Sequence, residues 1–153
     1  MTAADDALRQ IEAAFADAPR PPDPDLAHSP GHDHDFELLY RYAHWRDVPD
    51  ATLERQDAAL AFLGAAGFHH FLPAYMSYAL RHPGSAWFAV ESAVNALAPG
   101  SGDLRAFSVS KYAELDAAQR GAVLTFLETM RERDDFGDPV LADALAYWRP
   151  LVG

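Results

Sequence analysis

Between Phe68 and Ala79 the apolar residues Phe68, Phe71, Leu72, Tyr75, Met76 and Ala79 fall at i, i+3, i+4, i+7, i+8 and i+11. That spacing lines them along one stripe of an α-helix and does not fit the two-residue period of a strand. A stripe this full needs other helices to cover it. Shorter stripes recur along the chain: Leu8, Ile11 and Phe15; Leu53, Leu60 and Leu63; Trp87, Val90, Val94 and Leu97; Val123, Phe126, Leu127 and Met130; Val140, Leu141, Leu145 and Trp148. No segment shows sustained strand alternation. The expected fold is therefore all-α, a single compact domain of six to seven helices around one core. A chain of 153 residues can build such a core without a disulfide or a metal. It holds no cysteine, which excludes thiol catalysis and thiolate-held zinc.

Proline and glycine set the expected boundaries. Proline fixes φ and removes an amide donor, so the five prolines between Pro19 and Pro30 predict an extended arm. The chain then divides into an N-terminal amphipathic helix at 1–18, a proline-rich linker or arm at 19–34 and a helical core at 35–153. An arm of this kind leaves the first helix to pack loosely or to dock on a partner. One helix is expected from Asp35 to about Trp45. Another, capped by Asp50 or Thr52, is expected to run to about Ala65. Pro73 falls within the fullest stripe. Gly67 to Leu72 therefore reads as a tight turn or short helical piece, and the main helix as starting near Pro73, where first-turn amides lack intrahelical partners anyway. Ser85 is a cap for the next helix. The stretch from Gly100 to Leu115 reads as a loop with a short extended piece at Phe107–Val109. Asp116 and Gln119 have capping-box spacing.

Twenty-three acidic residues against twelve basic ones give a net charge of −11. Such a surface repels nucleic-acid phosphates and anionic lipid and suits a basic protein partner. Lys111 is the one lysine, and every other cationic side chain is arginine. Asp5 and Asp6 stand where a secretory signal needs positive charge. The longest nearly apolar run, Ala58 to Phe68, is far short of the ~20 residues of a membrane span. A cytoplasmic protein without nucleic-acid or membrane partners is expected.

Few residues suggest chemistry. There is no nucleophile elbow and no phosphate-cradling glycine loop. Ser108 and Ser110 near Lys111 form a Ser-x-Lys pairing of a sort, with no oxyanion device beside it. The run "HSPGHDHDFE" is the ligand-dense segment. Extended, it projects His32 and His34 to one side and Asp33 and Asp35 to the other; helical, it places His32 and Asp35 on one face. Zinc accepts both residue types, but a four-ligand set is incomplete. His69 and His70 point about 100° apart and lie off the apolar stripe, which places them on a solvent-facing rim. The candidate metal ligands are thus His32, His34 and Asp35, with His69 as a further contributor, for zinc or another divalent ion.

The order of elements carries a resemblance. A His/acidic cluster precedes "WRDVP" (Trp45 to Pro49), then "LAFL" (Leu60 to Leu63), "GFHHFLPAYM" (Gly67 to Met76), "LAP" (Leu97 to Pro99) and "LDAAQRGAVLTFL" (Leu115 to Leu127). Over about Asp25 to Arg131 the chain is similar to a family of small bacterial proteins, domain of unknown function 6714. The resemblance implies no activity. Some members of that family carry a Cys-x-x-Cys pair where this chain has His32-Asp33-His34-Asp35. The expected function is a non-enzymatic, acidic protein-interaction module of immunity-like, antitoxin-like or regulatory kind, without a cofactor. The alternative is a metal-binding protein or metal-dependent hydrolase built on the His32–Asp35 turn.

Overall fold

The Thr2 hydroxyl accepts the Asp5 amide while the Asp5 carboxylate accepts the Thr2 amide, a reciprocal cap that starts the first helix. The computed structural model describes residues 2–22, 33–84, 88–133 and 138–152. Among these there is no strand, and the α-helices are α1 Ala3–Phe15, α2 Asp50–Arg55, α3 Ala59–Phe62, α4 Ala65–Arg81, α5 Phe88–Leu97, α6 Gly102–Tyr112, α7 Ala117–Arg133 and α8 Asp138–Val152. The chain is all-α, as its periodicity requires. Six of the eight helices run ten residues or more. No helix among the described residues is long and apolar enough to cross a membrane.

Helix α4 is the axis of the fold. It packs against α1, α5, α6 and α7, with α2 and α3 at its flanks. It is encased rather than half-covered, and every residue from Gly67 to Met76 is buried. A helix apolar nearly all round belongs in such a position. Pro73 does not begin it. The helix runs through Pro73 without a break, so the His69 carbonyl receives no amide from position 73. Helix α1 does not stand off the core either. Ala7, Ile11 and Phe15 are fully buried against α4 and α7. Of the expected arm, residues 19–22 and 33–34 are described, and Arg20 fastens the first of these by donating to the Tyr40, Tyr42 and Pro21 carbonyls. Residues 23–32 of the arm lie outside the described residues, as do Ser85 and Trp87.

Three other expectations change. The segment from Asp35 to Trp45 forms short 3₁₀ turns, at Asp33–Asp35, Glu37–Arg41 and Trp45–Asp47, instead of one α-helix. These turns bury Phe36, Leu39 and Trp45 together, which the 3.6-residue period would not do. The helix from Asp50 splits at Gln56. The Gln56 side chain donates to the His34 carbonyl and accepts the Leu38 amide, and its carbonyl accepts the Tyr75 hydroxyl at 2.5 Å. Asp50 caps no amide with its side chain; its carboxylate accepts from Arg81 and His82 at the far end of α4. Burial opposes its ionisation, but those two hydrogen bonds prevail and hold the carboxyl below its ordinary value. The stretch from Gly102 to Tyr112 is helix α6 instead of a loop. Its buried positions are only Lys111 and Tyr112, so it shows no apolar stripe to read. The Asp116–Gln119 capping box is present, at 2.8 and 2.9 Å.

Candidate functional site

The last carbonyls of a helix have no intrahelical partner and need donors from elsewhere. At the C-terminus of α1 three side chains supply them, and a fourth serves the turn that follows. Gln119 donates to the Ala14 carbonyl, Trp45 Nε1 to Phe15, His44 Nε2 to Ala16 and His70 Nδ1 to Ala18, at 3.0 to 3.2 Å. Because a carbonyl only accepts, these bonds fix His44 as the Nε2–H tautomer and His70 as the Nδ1–H tautomer. His44 completes its set by accepting the Arg46 amide at Nδ1. His70 does not. Its Nε2 is buried without a partner among the described residues, and burial, reinforced by the nearby His44, Arg20 and His69, lowers its pKa to about 4. It is a neutral core histidine.

Gln119 is the hub of this clasp. Its Oε1 accepts the Asp116 amide and also His69 Nε2 at 2.9 Å, while its Nε2 reaches Ala14. The His69 Nε2 must therefore carry a proton, and Nδ1 faces the Glu114 carboxylate at 3.6 Å. The same device recurs at other helix ends. Arg133 donates to the Ala79 and Leu80 carbonyls of α4. Trp148 and Tyr112 donate to Leu97 and Ala96 of α5.

The C-terminus of the four-residue helix α3 is served differently, by a charge. Lys111 Nζ donates to the Leu60 carbonyl at 2.9 Å and the Ala61 carbonyl at 3.2 Å. A cation suits this end of a helix dipole. The ammonium lies 4.6 Å from the Phe107 ring centre and 5.8 Å from that of Phe68. Lys111 is 5 % exposed and has no carboxylate partner among the described residues. Burial lowers its pKa to about 8. It lines a cavity of about 410 Å³ between α3, α5 and α6, floored by Phe68 of α4. The walls are mainly apolar: Leu60, Phe62, Ala96, Leu104 and Phe107, with Leu104 63 % exposed. Ser92, Asn95, Ser108 and half-buried Asp57 add the polar groups. The Ser92 hydroxyl is spent on its own helix, donating to Ala89.

Three of the elements singled out in the sequence, "WRDVP", "GFHHFLPAYM" and "LDAAQRGAVLTFL", meet at the clasp through Trp45, His69, His70 and Gln119. Residues 3–152 match a family described as a family of unknown function, DUF6714. The chain belongs to the DUF6714 family. No curated protein and no solved structure matches it.

Among the described candidate ligands of this DUF6714 protein, His34 and Asp35 lie together and His69 does not join them. His34 Nε2 lies 3.3 Å from the Asp35 carboxylate beside it. His69 is engaged by Gln119 and Glu114, and it is buried, as is His70, instead of lying on a rim. His32 lies outside the described residues. Among the described residues no three histidine or carboxylate side chains gather in a way that could hold a metal ion. Sequence reasoning missed the Lys111 cavity. The signal available was the identity of Lys111 as the one lysine of the chain, set between Phe107 and Tyr112.

Proposed function

We propose that this DUF6714 protein is a non-enzymatic binding module whose site is the cavity between α3, α5 and α6. One observation carries the reading: a buried ammonium, without a carboxylate partner among the described residues, lines a mainly apolar cavity. Burying a charge costs several kcal/mol unless it is compensated, and two backbone carbonyls are partial compensation. Capping α3 requires no cavity, yet a volume of about 410 Å³ adjoins the group. That volume falls in the ordinary range of small-molecule sites, about 300–1,000 Å³. Ser108 and Lys111 share the wall without a hydrogen bond between them, and Ser110 donates to the Phe107 carbonyl of its own helix. An activated serine needs a base within hydrogen-bond reach, so binding is favoured over hydrolysis.

The test uses a neutral apolar dye, N-phenyl-1-naphthylamine, which brightens on leaving water. Saturable brightening in the native protein, abolished by Ser108→Trp with the helical circular dichroism unchanged, is expected. Absence of saturable brightening in the native protein overturns the reading. The net charge of −11 favours a second reading, docking to a basic protein with association that weakens as salt rises. A pull-down at low salt that recovers no basic partner counts against it.

A further inference from the structure

We infer that the ligand of the α3–α5–α6 cavity is an apolar molecule with a single carboxylate head, which pairs with Lys111. The inference rests on the proposed site and adds the chemical class of its occupant. Lys111 Nζ has three N–H donors, and the Leu60 and Ala61 carbonyls take two. One donor and a whole positive charge remain. The rings of Phe107 and Phe68 present their faces' partial negative charge to it, but no anion does so among the described residues. A carboxylate oxygen would fill the free position and neutralise the charge beside apolar walls, where a charge-assisted hydrogen bond is stronger than in bulk water.

The walls limit the head group. No arginine lines the cavity, so the planar fork that grips a phosphate with two donors is missing. One ammonium with one free donor matches one negative charge. Beyond it Leu60, Phe62, Phe68, Ala96 and Leu104 offer only apolar contact, which suits a hydrocarbon body. The acidic surface of the chain works against an anion at long range, but at physiological ionic strength exposed charges are screened within about 8 Å. Among the described residues Asp57 is the one acidic side chain on the wall. Burial, and no carboxylate, sets the lowered pKa of Lys111.

The experiment displaces N-phenyl-1-naphthylamine from the native protein with decanoate and, in parallel, with decanol, near pH 7. Decanoate is expected to bind at least about tenfold tighter, as one charge-assisted hydrogen bond would give. Lys111→Met should erase that preference and leave decanol unaffected. A second arm needs no variant. In the native protein the affinity for decanoate should fall as pH rises above about 8, where the ammonium discharges, while that for decanol stays flat. The variant keeps Asp57, so any pH effect that survives in it does not come from Lys111. Equal affinity for decanoate and decanol overturns the carboxylate inference and leaves the apolar site standing. Failure of both ligands and the dye to bind overturns the site itself. If Lys111→Met does not fold, the pH arm decides: a flat decanoate affinity across pH 8 rejects the inference.

Discussion

Replacing His70 with asparagine should flatten the acid dependence of stability. His70 is 1 % exposed, donates from Nδ1 to the Ala18 carbonyl, and leaves Nε2 buried without a partner. A second proton would have to sit on that nitrogen and find no acceptor. The folded protein therefore takes it up only near pH 4, whereas the unfolded chain does so near 6.5. Between those values the unfolded chain binds more protons, so stability rises with pH. The contribution is complete above about pH 6.5 and is lost as pH falls toward about 4. At about 1.4 kcal/mol per pH unit its full size is about 3 kcal/mol, of which about 2 kcal/mol is gone by pH 5. Asparagine places an amide near the position of Nδ1, so His70→Asn can keep the Ala18 bond and cannot titrate. Urea unfolding followed by tryptophan fluorescence at about pH 7 and pH 5 reads the difference. The native protein should lose about 2 kcal/mol more than His70→Asn over that interval. Carboxylates such as Asp50 and Glu128, both held below their ordinary values by cationic partners, contribute equally to both proteins and cancel. Equal losses in the two proteins would refute the neutral, unpartnered assignment of His70.

Two further outcomes follow from the clasp and the axis helix. Gln119→Ala removes the capping box and orphans the Ala14 carbonyl and His69 together. It should cost about 2–4 kcal/mol in chemical denaturation, with Gln119→Glu recovering the box but not the Ala14 bond. Pro73→Ala returns an amide to the interior of α4 opposite the His69 carbonyl. A mid-helix proline costs about 3 kcal/mol, while the buried ring loses two methylenes at about 0.8 kcal/mol each, so a net gain of about 1 kcal/mol is expected in thermal melts. A Pro73→Ala variant less stable than the native protein would show that packing of the ring outweighs the missing hydrogen bond.

The features legible along the chain are local. Apolar spacing at i, i+3 and i+4 depends only on the geometry of one helix, so the all-α class and the stripes of α1, α4 and α7 were legible. So was the Asp116–Gln119 box, whose two partners lie three residues apart. The remaining features depend on neighbours distant in the chain. A stripe reports one face, but α4 is covered on all sides, and that buries His69 and His70 where periodicity placed them in solvent. Gln56 ends a helix because His34 and Leu38 come to its side chain across 22 and 18 residues. The donors that close the helix ends and the turn after α1 reach across 105 residues from Gln119 to Ala14, 51 from Lys111 to Leu60 and 52 from His70 to Ala18. No period along the chain encodes such separations. The orphan carbonyls at a helix end demand a donor, and only the packing of the helices decides which side chain arrives. For α3 it is the chain's one lysine, brought with its charge to the wall of an apolar cavity.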